Sequence, residues 1–213
     1  SHGEYWGRTP EQMSGTSFIS GHIGYDFARQ LMSERFSFTF LRDPAERILS
    51  MYYFCRTRDT GEYEIYGKAR ELDLPHFLAA GFSDPCIRMH IWNNQVWQLA
   101  HGYTHQDSRS IDDFTEEDML RLAKEHLKEF SFVGFNETYL ADVAIVLNAL
   151  SLPKAREVPR LNATPGRPCV SDQAPAIKVM LDKLTELDRQ LYDYAWNEFS
   201  GERKASRRGW WRW

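Results

Sequence analysis

Two short apolar runs, each followed by a helical pattern, organise the sequence. Residues 36–41 favour a buried strand. Asp43 suits a helix N-cap and Pro44 suits the first helical position, so we predict that a helix begins directly after this strand. A second apolar run at 130–135 precedes a helical pattern over 137–150. Repeated strand–helix units predict an α/β fold in which a central parallel sheet is flanked by helices.

Other helices follow from apolar positions that recur at helical spacing. The predicted ranges are about 71–80, 85–100, 115–129 and 176–199. Residues 151–175 are rich in Pro, Asn, Gly and Arg without periodicity, which predicts a long loop. Loops of this length are usually functional or disordered.

The net charge and the cysteine positions exclude some classes of function. The net charge of −4 argues against a general nucleic-acid binder, because such proteins need a broad positive surface for phosphates. Any anion site must therefore be local. Cys55, Cys86 and Cys169 lack the spacing of metal ligands or of a disulfide framework, and we predict no metal site.

The strand–turn–helix unit offers a local anion site. It places the cationic side chain of Arg42 beside a helix N-terminus, where unpaired N–H groups and the helix dipole also favour an anion. Ser50 lies two helical turns further on and could add a hydroxyl donor. The competing interpretation is that Arg42 and Asp43 only cap the helix.

Residues 19–27, which read ISGHIGYDF, are followed by FTFLRDPAERILSMYYF at 38–54. These segments resemble carbohydrate sulfotransferases of the heparan sulfate 2-O-sulfotransferase type. Later stretches resemble the same family: 93–100, 132–134 with Glu137, and 187–195.

The resemblance implies a sulfuryl donor, 3′-phosphoadenosine 5′-phosphosulfate (PAPS), with product 3′-phosphoadenosine 5′-phosphate (PAP). It implies that Arg42 and Ser50 bind the 3′-phosphate and that His22 is the catalytic base. A neutral imidazole suits that role, because its ordinary pKa of about 6.5 lets it take a hydroxyl proton near neutral pH.

The late loop provides a second expected contact with the donor. Asn162, Thr164 and Arg167 resemble the loop that covers the nucleotide in related sulfotransferases, and their polar groups could donate to phosphate oxygens. The alternative is an exposed loop without a ligand.

An acceptor groove is expected around Asn93, Asn94 and Gln95, because amides suit sugar hydroxyls. Arg56 is a further candidate for contact with an acidic sugar. The predicted partner is thus a carbohydrate or another hydroxyl acceptor.

The resemblance implies a P-loop-kinase-like sulfotransferase fold. Family members carry an early strand and a Gly-rich phosphosulfate loop, and no such unit precedes His22. We expect that this unit is truncated, disordered or truly lost. True loss would leave an inactive PAP- or glycan-binding module as the alternative function. The expected division is a linker or tag remnant at 1–17, a sulfotransferase domain at 18–200 and a tail at 201–213.

The tail at 201–213 is basic and rich in tryptophan, a composition that suits a membrane interface or an anionic glycan. Alternatively, it packs against the domain or a second subunit. Location stays open between a bacterial cytoplasm, which is favoured, and the Golgi lumen for a eukaryotic form that has lost its anchor.

Overall fold

The computed structural model describes residues 8–102, 111–154 and 164–201. In this part of the chain, eleven α-helices surround the parallel strands β1 (Phe38–Leu41) and β2 (Phe132–Phe135). The predicted α/β fold with a parallel sheet flanked by helices is confirmed. The helices are α1 (Pro10–Met13), α2 (Tyr25–Met32), α3 (Pro44–Cys55), α4 (Glu64–Glu71), α5 (Leu74–Ala80), α6 (Pro85–Ile91), α7 (Asn94–Ala100), α8 (Glu116–Leu127), α9 (Tyr139–Ala149), α10 (Pro175–Leu184) and α11 (Glu186–Phe199).

Each strand leads into a helix, as the sequence predicts. Phe38 pairs with Phe132 and Leu41 with Phe135, so the two strands end at the same edge of the sheet. The Asp43 carboxylate accepts the Glu46 N–H at 3.0 Å and caps α3. The carboxyl ends of both strands therefore lie beside the start of α3.

The core lies between α3, α7, α8 and α11. Ile48 and Leu49 of α3, Leu127 of α8 and Leu191 of α11 are at most 1% exposed. Burial of an aliphatic side chain of this size contributes about 1.5–3 kcal/mol relative to leaving it exposed. The sheet edge and the helices around it therefore share one packed interior.

Two of the predicted helices are broken in the structure. The helix predicted over 85–100 divides into α6 and α7 because Asn93 adopts the left-handed conformation, with φ of 43°. The helix predicted over 176–199 divides into α10 and α11 at Thr185. The two breaks contact each other, since the Asn93 N–H donates to the Leu184 carbonyl at 2.9 Å.

Other boundaries also differ from the predictions. The helix expected from residue 71 begins at Leu74, where the Asp73 carboxylate caps it, and Glu71 instead ends the unpredicted α4. Within the expected linker, α1 packs on α2, and Arg35 donates to the Ser14 carbonyl at 2.5 Å. None of the helices in the described ranges is long and apolar enough to cross a membrane.

The segment that carries His22 is held against α7 by a close backbone approach. A Cβ placed on Gly24 would lie 2.4 Å from the Gly102 Cα atom. Gly102 itself has φ of +74°, a conformation that other residues rarely adopt. Glycine is therefore required on both sides of this contact.

Replacing Gly24 with alanine is expected to destabilise the protein by about 1–3 kcal/mol, the usual cost of overpacking. Gly67→Ala in α4 is the matched control, since its Cβ would meet nothing within 4 Å. Because alanine favours a helix, the control should be neutral or stabilising by about 0.5–1 kcal/mol. Urea unfolding measures the unfolding free energy of both variants. Equal changes in Gly24→Ala and Gly67→Ala would contradict the close approach of Gly24 to Gly102.

Candidate functional site

The candidate site lies where β1 ends and α3 begins. Arg42 directly follows the last residue of β1, and Asp43 is the N-cap of α3. The first N–H groups of a helix lack intrahelical acceptors and carry the positive end of the helix dipole. Ligands of open parallel sheets bind outside the carboxyl ends of the strands, which is the position of this turn.

The charge of a second guanidinium acts on Arg42. Arg42 is half-buried, and its pKa is lowered first by burial and then by the positive charge of Arg167. The negative charges of Glu46 and Glu137 act in the opposite direction. Two neighbouring cations beside a helix N-terminus make this surface favourable for an anion.

Arg167 reaches α3 from the late loop through a tight turn. Its N–H donates to the Thr164 carbonyl at 3.3 Å, and Gly166 supplies the positive φ of 69° that the turn requires. The Arg167 guanidinium donates to Glu46 Oε2 at 2.8 Å, while Glu46 Oε1 accepts the Val170 N–H at 2.7 Å. Glu46 thus ties the loop to the first turn of α3.

The other predicted donor-binding residues lie around the same helix. Ser50 is half-buried and follows Glu46 by one helical turn, so both lie on one face of α3. Thr164 belongs to the turn that carries Arg167. Asn162 lies outside the described residues. Ser50 and the Arg167 contact therefore both lie on the Glu46 face of α3.

Two side chains hold the backbone of the turn itself. Gln95 Oε1 accepts the Arg42 N–H and Gln95 Nε2 donates to the Arg42 carbonyl, each at 3.0 Å. Glu137 Oε1 accepts the Asp43 N–H at 2.8 Å, and Glu137 Oε2 accepts the Tyr192 hydroxyl at 2.9 Å. The peptide groups on either side of Arg42 are therefore fixed by two separate parts of the chain.

Behind the turn, α7 and α11 cap each other. Asn93 Oδ1 accepts the N–H groups of Leu187 and Asp188, at 2.9 and 3.2 Å. In return, the Asp188 carboxylate accepts the N–H groups of Gln95 and Val96, at 3.2 and 2.7 Å. These reciprocal caps fix the start of the helix that carries Gln95.

His22 lies near the opposite end of α7. It is exposed and stands just before α2. The Asp26 N–H donates to the His101 carbonyl at 3.1 Å, and His101 Nδ1 lies 3.2 Å from Asp26 Oδ2. Since α7 has seven residues, its ends are about 10 Å apart. The helix thus separates the His22 segment from Arg42.

Comparison with known protein families identifies the family of this chain. The model of the sulfotransferase family matches residues 20–195, a range that includes His22, the Arg42 turn, Gln95 and Glu137. The chain belongs to the sulfotransferase family. No curated protein and no solved structure matches it. Membership makes the protein an enzyme that transfers a sulfuryl group from a sulfate donor.

The three amides expected in the acceptor groove of this sulfotransferase are buried. Asn93, Asn94 and Gln95 are 2%, 4% and 8% exposed. The Asn94 amide donates to the Met89 carbonyl at 2.8 Å, and its carbonyl oxygen accepts a hydrogen bond from Arg47. All three side chains thus have partners within the enzyme.

Arg56 contacts the protein at the far end of α3. Its guanidinium donates to the carbonyls of Ala69 and Leu72, at 2.7 and 3.2 Å, and to the Tyr52 hydroxyl at 3.0 Å. These contacts join the end of α3 to the end of α4. The structure does not bring Arg56 to the turn that carries Arg42.

Three carboxylates of the site had no role in the sequence-based prediction, namely Glu46, Glu137 and Asp188. Glu137 and Asp188 belong to stretches that resemble the family, but a resemblance does not say what a side chain contacts. Glu46 stands three residues after the cap, a spacing that predicts a helix start and not an anchor for a distant loop.

A shallow cleft of about 290 Å³ lies at the junction of α10 and α11, lined by Asp182, Thr185, Glu186, Arg189 and Gln190. Arg189 also donates to Asp43 Oδ2 at 2.8 Å, so the cleft adjoins the cap of α3. In the described part of the chain, no group of three or more His, Cys, Asp or Glu side chains could hold a metal ion.

The buried Asp188 carboxyl predicts how the stability of the sulfotransferase depends on pH. Burial raises its pKa to about 6, although the N–H of Val96 and the charge of Arg47 act in the opposite direction. An unfolded aspartate titrates near 3.9, so the folded state holds this proton more tightly. The resulting stabilisation is fully present below about pH 4 and is lost as the pH rises through about 6.

Asp188→Asn removes this titration and provides the reference. The unfolding free energy of the wild type minus that of the variant should fall by about 2–3 kcal/mol between about pH 4 and pH 7. Urea unfolding at several pH values measures the difference. A difference that stays constant over this range would contradict the raised pKa.

Proposed function

We propose that this sulfotransferase moves the sulfuryl group of PAPS onto a hydroxyl of a carbohydrate. The observation that carries the proposal is that two arginines lie at the start of α3: Arg42 precedes the N-cap, and Arg167 binds Glu46 in the first turn. Cationic side chains at a helix N-terminus favour an anion, and a phosphate monoester carries a charge of about −1.5 to −2 at pH 7. The 3′-phosphate of PAPS is such a group.

The residues present fit this part of the donor. Guanidinium groups bind phosphate oxygens in a bidentate manner. Pro44 has no N–H and the Glu46 N–H donates to Asp43, so within the first turn of α3 the Ala45 N–H is the backbone donor that would be added. Ser50 and Thr164 would add hydroxyl groups. When bound, PAPS supplies a sulfuryl group on a phosphate leaving group, so Arg42 and Arg167 serve to bind and orient rather than to react.

His22 is proposed as the general base. As the acceptor oxygen bonds to sulfur, the bond from sulfur to the 5′-phosphate oxygen breaks and its electron pair stays on the phosphate. His22 takes the hydroxyl proton. Its exposure leaves it accessible to an acceptor, and the length of α7 separates it from the residues proposed for the 3′-phosphate.

The carbohydrate acceptor is supported by the resemblance of residues 19–27 and 38–54 to sulfotransferases of the heparan sulfate 2-O type. The basic tail, proposed to contact an anionic glycan or a membrane surface, lies outside the described residues beyond 201. The negative net charge agrees with a partner other than nucleic acid.

Replacing Arg42 with alanine should weaken PAP binding roughly 10- to 150-fold, the loss expected when a charge-assisted hydrogen bond to phosphate is removed. Arg42→Lys should recover only part of the loss, because lysine lacks the planar fork. Calorimetry with PAP measures both variants.

Arg121→Ala is the control for the loss of one positive charge. Arg121 lies on the exposed face of α8, where it pairs with Asp118 at 3.2 Å and Glu125 at 3.1 Å. The PAP affinity of the Arg121→Ala variant should match that of the wild type. Equal losses in the Arg42 and Arg121 variants would remove the specific phosphate role.

Replacing His22 with alanine should lower kcat about 10²- to 10⁴-fold, as expected for a positioned general base. PAP affinity should remain unchanged, since the proposed base does not hold the 3′-phosphate. The wild-type rate should also fall on the acid side, where a protonated imidazole cannot accept a proton.

The control for this experiment is His76→Ala. His76 is an exposed histidine of α5 whose Nδ1 lies 2.6 Å from Asp73 Oδ1. Sulfuryl transfer to a carbohydrate acceptor should proceed at the wild-type rate in this variant. A His22→Ala enzyme with wild-type turnover would exclude His22 as the base.

A further inference from the structure

We propose that Gln95 is a positioning residue of the donor site, which holds the Arg42 backbone so that the Arg42 guanidinium starts from a fixed point beside the N-terminus of α3. This inference rests on the proposed function, because it assigns to Gln95 the task of preparing the phosphate site. It replaces the expectation that Gln95 contacts the acceptor.

The side chain of Gln95 acts on the Arg42 backbone in the way that a neighbouring strand would. One amide accepts the N–H and donates to the C=O of the same residue, each at 3.0 Å. β1 ends at Leu41, so these two bonds hold the residue that directly follows the strand. Gln95 is only 8% exposed, which limits competition from water.

The base of the Gln95 side chain is fixed independently. Its own N–H donates to Asp188 Oδ2, and Asn93 anchors the preceding turn to the start of α11. A side chain that begins at a fixed helix start and ends on two backbone atoms has little freedom left. Gln95 therefore transmits the position of α7 to Arg42.

Glu137 completes the arrangement from the other side by accepting the Asp43 N–H at 2.8 Å. With the groups before and after its Cα atom held, Arg42 projects its side chain from a fixed origin. An anion site gains affinity when its cations are already in place, because less ordering is left for the binding step. Loss of Gln95 should thus act on the donor through Arg42.

The experiment is a double-mutant cycle that measures PAP affinity by calorimetry. Gln95→Met keeps the length of the side chain but removes both hydrogen bonds. It should weaken PAP binding about 5- to 30-fold in the wild-type background and less than about 2-fold in the Arg42→Ala background. A residue that only stabilised the fold would not show this dependence on Arg42.

Tyr52→Phe is the matched control. It removes a buried hydrogen bond, from the Tyr52 hydroxyl to the Leu72 carbonyl at 3.0 Å, elsewhere on α3. It should lower Tm while leaving PAP affinity within about 2-fold of the wild type. If Gln95→Met does not fold, Gln95→Asn, whose amide is too short to span both backbone atoms, enters the same cycle.

Hydrogen exchange provides a measurement without ligand. The Arg42 amide should be protected in the wild type and should exchange at least about 10-fold faster in Gln95→Met. Unchanged PAP affinity with a raised KM for the acceptor would overturn the inference, as would losses that simply add in the double variant. A wild-type protein that does not bind PAP would instead refute the proposed donor itself.

Discussion

Asp188 is a carboxylate in the interior, and it can stay there because both of its oxygens accept backbone N–H groups from the start of α7. A buried charge without such partners would cost several kcal/mol. In turn, the Asn93 side chain caps α11 by accepting two N–H groups from the start of that helix. Each helix thus supplies the cap of the other, and α7 cannot shift without leaving buried polar groups unsatisfied at both helix starts.

The reciprocal caps of α7 and α11 fix the backbone around Arg42, and the charges near Arg42 are arranged on that backbone. The positive charge of Arg167 acts on Arg42, and Glu46 offsets it by binding Arg167 in a partly buried pair. Glu46 also accepts the Val170 N–H, so the late loop is attached by a backbone contact as well as by an ion pair. The positive surface is therefore prepared within the enzyme and does not depend on the donor to bring its two cations together.

Local signals were enough to predict the strand, the turn and the helix around Arg42. Asp43 acts on the N–H three residues later through its carboxylate, and Pro44 acts through its fixed φ angle. Both effects are local, so they can be predicted without knowing the rest of the fold. The amides at 93–95 are different, because a buried amide suits a sugar hydroxyl as well as it suits a helix cap. For Asn93 the partners are Leu187 and Asp188, almost a hundred residues away, and for Gln95 the partner is the backbone of Arg42. Such distant contacts cannot be predicted from the local sequence.

The breaks in the two predicted helices supply hydrogen bonds on which the site depends. Apolar periodicity continues across Asn93, and a continuous helix over 85–100 would satisfy it. In such a helix, however, the Asn93 N–H and the first N–H groups of α7 would bond to the preceding turn. They could then bind neither Leu184 nor Asp188. Because Asn93 is left-handed, these N–H groups can instead bond to α10 and α11. The strained conformation of one asparagine is thus offset by the contacts that place Gln95 at Arg42.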